Sequence, residues 1–235
     1  MKRLTFNRLA MIAWFALFSG AAGIAASANP EGYTMETIRL PQPRLDSSFS
    51  VERALQARRS VRDFSGAALS LDETGQLLWA AQGITGPHGQ RTAPSAGALY
   101  PLEILLVAGN VAGLAPGVYR YVTAGHTLTP LAAGDRRISL AQAAVDQQWM
   151  QTAPAVIVFC AVEKRSTWKY GSRGLSYIHI EVGHAAQNVF LQAQALGLGA
   201  AVVGAFDETK LASVLQLPKV QIPLYLMPVG KPAHH

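Results

Sequence analysis

The sequence predicts an α+β fold, a central mixed, mainly antiparallel sheet flanked by helices, and three observations predict it. The apolar, β-branched runs 104–108 and 155–162 read as buried strands. Segments 117–123 and 126–131 alternate at period two across Gly125-His126, the pattern of a hairpin. Helical patterns are interspersed with these strands without the strict rhythm of a parallel sheet. With 235 residues, 50% of them hydrophobic and 14% charged, the chain holds enough apolar material for one ordinary core and too much for a disordered or coiled-coil protein. Its single cysteine, Cys160, cannot form an internal disulfide, and no Cys/His group has zinc-site spacing.

Residues 1–28 read as a secretory signal peptide: Lys2, Arg3 and Arg8 precede the apolar run Leu9–Phe18, and Ala26-Ser27-Ala28 is a cleavage signal. The rival reading takes Leu9–Ala28 as an uncleaved membrane anchor. Either way the folded part is expected outside the cytoplasm, in the periplasm or otherwise exported. Removing the segment takes away three cations and no acid, so the net charge falls from +6 to +3. That modest charge, with no aromatic-basic stripe, points away from nucleic acid.

Residues 29–48 are turn-rich and read as an extended lead-in to one domain over 49–235. Ser50 can cap a helix carrying Val51, Ala54 and Leu55, and Ser70 with Glu73 forms a capping box ahead of Leu77 and Leu78 in a helix that should stop near Gly83. The Gly- and Pro-rich stretch Gly86–Pro101 reads as a loop feeding the strand at 104–108. Ser139–Met150 reads as a short helix, and Ala155–Val162 as a central strand buried on both faces. Ile180–Leu196 has the clearest helical spacing, with Gly197 as its stop. Leu198–Phe206 is expected as another strand and Asp207 as the cap of a small helix. Leu224–Val229 closes the sheet near an edge because Pro228 cannot donate to a ladder.

Three segments could carry chemistry. Arg58-Arg59-Ser60-Val61-Arg62 groups three guanidinium groups and a hydroxyl where a helix gives way to a loop, a set that suits a phosphate as well as it suits a solvated basic face. Ala93–Glu103 combines small residues with Ser95, so backbone could approach a flat ligand and Ser95 could donate to it. Lys169–Tyr177 is polar and aromatic, placed between a strand and the long helix, with an acid/base pair available at Lys169 and Tyr170. His179, Glu181 and His184 do not share a helix face and make a poor metal site. Gln187 and Asn188 need buried partners. No dinucleotide fingerprint, P-loop or nucleophile elbow is present.

Taken in order, these segments resemble the nitroreductase superfamily, and within it the SagB-type dehydrogenases that include azoline oxidases. The landmarks are RRSVRDF from Arg58, PSAGALYPLE from Pro94, PGVYRY from Pro116, IEVGHAAQN from Ile180, and GLGA followed by VGAFD ending at Asp207. The resemblance implies FMN at a homodimer interface, with Arg58, Ser60 and Arg62 at its phosphate and ribityl end, Arg59 assisting and Lys231 adding a cation. It places Ser95 and the Val203-Gly204 backbone beside the ring, with Gln187 and Asn188 as supports. Lys169 and Tyr170 match the pair thought to deprotonate substrate. The expected function is an exported FMN-dependent oxidoreductase moving hydride between flavin N5 and a small organic substrate, with NADH or NADPH as a candidate electron donor. A flavin-handling protein without redox turnover is the alternative.

Overall fold

The computed structural model describes residues 36–234. The signal-peptide segment and the first part of the lead-in, residues 29–35, lie outside the described residues. Seven strands form one sheet in the order β1-β4-β3-β2-β5-β7-β6, and every pair of neighbours is antiparallel. They are β1 (Ile38–Arg39), β2 (Leu102–Ala108), β3 (Gly117–Val122), β4 (Thr127–Ala133), β5 (Ala155–Ala161), β6 (Gly199–Ala200) and β7 (Ile222–Gly230). The helices are α1 (Val51–Ala57), α2 (Leu71–Gln82), α3 (Arg137–Ala143), α4 (Lys164–Tyr170), α5 (Arg173–Ala195) and α6 (Glu208–Leu215).

Alternation along the central strands explains how an antiparallel sheet comes to be covered on both sides. Leu106, Ile157 and Phe159 face a cluster with Leu78 of α2 and Val182 and Val189 of α5. Their neighbours Leu105, Val107, Val158 and Cys160 face Leu140 of α3 and Leu211 and Leu215 of α6. All of β5 is buried, which is why its sequence shows no alternation. Each such side chain contributes roughly 1.5–3 kcal/mol by leaving water.

Caps set the helix boundaries. Ser50 and Asp207 accept from Arg53 N and Lys210 N, and the Ser70–Glu73 capping box is complete in both directions. Four sequence expectations are corrected. The lead-in is not wholly irregular, because Ile38-Arg39 pairs with β4 and buries Leu40. The expected helix 139–150 is α3 followed by a separate 3-10 turn, broken where Val145 and Asp146 take left-handed backbone (φ 56° and 53°). The segment around Lys169 is helix α4, and α5 begins at Arg173 instead of Ile180. The expected strand 198–206 keeps only Gly199-Ala200 in the ladder, with Val203 joined to Leu226 by one further bridge. The expectation that the last strand lies near an edge holds, since β7 is one strand in and the two-residue β6 covers only Val229 and Gly230.

Among the described residues no helix is long and apolar enough to cross a membrane.

Candidate functional site

The first group of predicted residues collects along the β6 edge. The chain leaving α1 runs parallel to β6, with Ser60 bridging Ala200 and Val61 N donating to Ala200 O at 2.9 Å. A Cβ on Gly199 would stand 2.6 Å from Val61 Cβ, so only glycine lets this segment lie against the strand. Further along, Ser65 N donates to Lys231 O at 3.0 Å, which brings Lys231 to the same edge. Arg58 lies over the Phe190 ring and Arg62 over the Trp149 ring, at 5.2 and 5.8 Å from the ring centroids. Arg59 turns back and donates from Nη1 to the carbonyls of Gln56 and Arg58, closing the end of α1. Among the described residues none of Arg58, Arg59, Arg62 and Lys231 belongs to an ion pair.

Val203 and Gly204 extend this edge with different roles. The Val203 amide donates to Leu226 O at 2.8 Å, and Leu226 N returns a bond to Val203 O. That amide is therefore committed to the sheet, and Val203 is a buried anchor for the segment. Gly204 is the exposed member of the pair, its α-carbon turned toward the Tyr225 ring.

The second group meets at the loop before β2. Ser95 Oγ accepts from Tyr100 N at 2.9 Å, closing a turn in which Gly97, Ala98 and Tyr100 all take left-handed backbone (φ 63°, 53° and 45°). Two of these are not glycine, and each costs roughly 1–2 kcal/mol unless the surroundings hold it. The surroundings do so: Arg91 lies 4.2 Å over the Tyr100 ring and Arg165 Nη1 donates to Tyr100 O at 3.1 Å. Arg165 is itself held by Glu103 at 2.6 Å. The end of α4 leans over this loop, so that a Cβ on Gly97 would meet Tyr170 Oη at 2.6 Å and Lys169 Nζ at 2.9 Å. Residues over seventy positions apart thus share one site. Tyr177 braces the pair, its ring edge-on to Tyr170 at 5.0 Å.

The two groups do not merge within one chain. Tyr177 marks one end of α5 and Phe190, under Arg58, the other, roughly 20 Å apart at 1.5 Å per helical residue.

Behind the Ser95 loop lies a buried polar cluster that the sequence reading missed. Glu181, on the inward face of α5, is buried, and burial pushes its carboxyl up to about 7 against the opposing pull of Ser95, Arg91 and Gln82. Arg91 Nη1 donates to Gln82 Oε1 at 3.0 Å. The missed signal was the register of Glu181 with Ile178, Val182 and Ala185, which places an acid on the apolar stripe of the helix. Its neighbours His179 and His184 are exposed and point elsewhere. Asn188 does find a buried partner, donating to Thr92 O at 3.1 Å, whereas Gln187 is exposed and supports nothing inside.

An antiparallel sheet covered on both faces, with a cationic edge and a strained small-residue loop, defines an α+β protein with the makings of a ligand site. The model of the Nitroreductase family matches residues 55–231, and the chain belongs to that family. A candidate nitroreductase of Methanocaldococcus jannaschii is 42% identical over 200 residues, 85% of this chain and 98% of that protein. The microcin B17-processing protein McbC of Escherichia coli is 27% identical over 133 residues, 54% of this chain and 49% of its own length. The trifolitoxin-processing protein TfxB of Rhizobium leguminosarum is 31% identical over 139 residues, 57% of this chain and 37% of its own length. These two relatives support the SagB-type resemblance, and this chain spans less than half of each. Among solved structures, a candidate nitroreductase of Ralstonia eutropha superposes with TM-score 0.76 at 29% identity, covering 86% of this chain and 93% of that one.

Proposed function

We propose that this nitroreductase-family oxidoreductase binds FMN between two copies of the chain and uses it to exchange hydride with a small organic molecule. The observation that carries the reading is the convergence of Lys169 Nζ and Tyr170 Oη on the Gly97 surface of the Ser95 loop. The donor set fits the cofactor. Arg58, Arg62 and Lys231, which have no acidic partner among the described residues, suit a phosphate, and small residues beside Ser95 and Gly204 leave room for a planar ring. Family relatives point the same way, since a Vibrio harveyi structure of this fold is an NADPH:FMN oxidoreductase.

Arg58, Arg62 and Lys231 would hold the phosphate end, with Ser60 beside them and Arg59 fixing the end of α1 that presents them. Ser95 and the Gly204 backbone would orient the ring. When bound, the flavin supplies the two-electron chemistry that no side chain here can. Lys169 and Tyr170 stand where a proton must leave or reach the substrate. Because the Arg58 and Ser95 groups sit at opposite ends of α5, each site draws one group from each copy, which makes the homodimer part of the site. Export to the periplasm follows the same reading of residues 1–28.

The test is an absorption spectrum of residues 29–235 with added FMN, followed by anaerobic NADH or NADPH. Bound flavin that bleaches supports a reductase. Bound flavin that bleaches only with another organic donor supports a dehydrogenase. Flavin that never bleaches indicates a carrier, and no bound flavin overturns the reading.

A further inference from the structure

Helix α4 carries Lys169 and Tyr170, yet it has little apolar surface to keep it in place. Of its seven residues only Ser166 is buried, and Trp168 is 72% exposed. A helix this short does not hold itself in water. Backbone contacts fix its ends. Ahead of it Val162 N donates to Pro101 O at 2.9 Å, and behind it a Cβ on Gly174 would stand 3.0 Å from the backbone of Ser166 and Thr167. Among the described residues, the only side-chain hydrogen bonds from α4 to the rest of the protein are those of Arg165. Its guanidinium pairs from Nη2 with Glu103 Oε1 at 2.6 Å and donates from Nη1 to Tyr100 O at 3.1 Å, so it grips the sheet and the loop together. Lys169 lies one turn further along the same helix face, so the grip at Arg165 also sets where Lys169 and Tyr170 meet Gly97. Glu103 has a second cation beside it. Arg120 Nε of β3 stands 3.9 Å from Glu103 Oε2, too far for a hydrogen bond, and this buried Nε has no other partner among the described residues. A largely buried carboxylate stripped of its one close cation is costly, and so is an unpaired buried N–H. If Arg165 withdraws, a turn of Glu103 to Arg120 answers both.

We propose that Glu103 is a positioning residue: through Arg165 it sets Lys169 and Tyr170 on the Ser95 loop, and by exchanging Arg165 for Arg120 it lets α4 lift and return. The use of Lys169 and Tyr170 in proton transfer rests on the flavin reading, whereas the exchange of partners does not. In the closed setting Lys169 Nζ and Tyr170 Oη lie so near Gly97 that not even a methyl group fits beneath them. In the lifted setting that surface is open and the Glu103 charge stays paired. Entry of a ligand to the loop and proton transfer on it thus belong to two settings of one short helix.

Two measurements test this. The first is amide hydrogen exchange of ligand-free protein, read by mass spectrometry on peptides spanning α4, whose amides exchange when the helix lifts and frays. Exchange should rise about tenfold in Glu103→Gln and in Arg165→Met, the scale of a partly buried charged hydrogen bond, and the double variant should be no faster than the faster single one. Arg120→Met should do the reverse and slow exchange about threefold, because the lifted helix then leaves Glu103 unpaired. Removal of a residue that merely supports the fold would speed it. Additive single effects, or an Arg120→Met protein that exchanges as fast as the natural one or faster, overturn the proposal. Either the double-variant comparison or the sign of Arg120→Met decides alone where the other's variants fail to fold. The second measurement takes FMN-loaded protein with NADH or NADPH and menadione. Arg165→Met should lose about tenfold in kcat, with FMN affinity and the KM for menadione within about twofold of natural, and Arg165→Lys, which keeps a cation on Glu103, should recover part of that loss. FMN affinity or KM lost with kcat intact overturns the positioning role. If the natural protein binds no FMN, the flavin reading falls, and the exchange measurement still decides the partner exchange at Glu103.

Discussion

Gly97→Ala separates geometry from stability at the candidate site. The added Cβ would stand 2.6 Å from Tyr170 Oη and 2.9 Å from Lys169 Nζ, so both tips must retreat by roughly 1 Å to reach ordinary contact. Both atoms end flexible side chains, so this retreat itself costs little. The backbone is the other term: φ is 63° at Gly97, and a left-handed alanine costs about 1–2 kcal/mol. Gly113→Ala carries the same backbone term (φ 81°) with nothing within 4 Å of its Cβ, which makes it the control. Thermal melts followed by circular dichroism should therefore place both variants about 2–8 °C below the natural protein and close to each other. Turnover should part them. With FMN-loaded protein, NADH or NADPH and a quinone or nitroaromatic acceptor, Gly113→Ala should run at the natural rate. Gly97→Ala should lose on the order of 10–100-fold in kcat, the scale of a 1 Å misplacement of a proton-transfer group. Equal turnover in the two variants would refute the placement of Lys169 and Tyr170 at this loop.

Three further outcomes are expected. Leu105→Ala and Leu106→Ala, on opposite faces of β2, should each cost about 2–5 kcal/mol in denaturant melts, whereas a sheet covered on one face would spare one of them. His126 accepts at Nδ1 from Tyr121 Oη (2.9 Å) and donates from Nε2 to Pro41 O (2.9 Å), and burial lowers its pKa below 6.5. Its neutral form is thus the stabilising one: the unfolded chain takes the proton first, so the contribution is complete above pH 6.5 and lost as pH falls through the lower folded value. The penalty of His126→Ala, about 1–3 kcal/mol at pH 7.5, should accordingly shrink between pH 6.5 and pH 5. Replacing Arg58 and Arg62 together by Gln should weaken FMN far more than riboflavin, because only the phosphate answers to that edge; equal losses would displace the phosphate from it.

Much of the fold is legible in the sequence because it rests on short-range rules. The capping box at Ser70–Glu73, the cap at Asp207 and the unbroken apolar run of β5 each state an element within a few residues. Where boundaries depend on distant partners, the sequence is silent. Nothing local in Ile38-Arg39 announces a strand; β4 makes it one. The segment 198–206 is apolar enough for a strand, yet only Gly199 and Ala200 pair with β7 as a strand, and Val203 rejoins it at a single bridge to Leu226. The site divides the same way. Arg58–Arg62, Ser95 and Lys169-Tyr170 stand out by composition. Glu181, Arg91 and Gln82 do not, since each looks ordinary in its own segment and acquires meaning only from a neighbour on another element.

The Ser95 loop shows why those hidden neighbours matter. Left-handed backbone at Ala98 and Tyr100 is met locally only by neutral bonds within the turn, Tyr100 N to Ser95 Oγ and Ala98 N to Ser95 O. It is retained because Arg91 covers the Tyr100 ring from one side while Arg165, anchored on Glu103, holds the Tyr100 carbonyl from another. Both arginines are charged donors fixed by second partners, and Arg91 is fixed through the buried Gln82. The strain that shapes the surface beneath Lys169 and Tyr170 and the proton on Glu181 are therefore maintained by one set of buried bonds. A change that frees Arg91, such as Gln82→Leu, should loosen the loop and shift the Glu181 titration together; either effect without the other would show that the two are held separately.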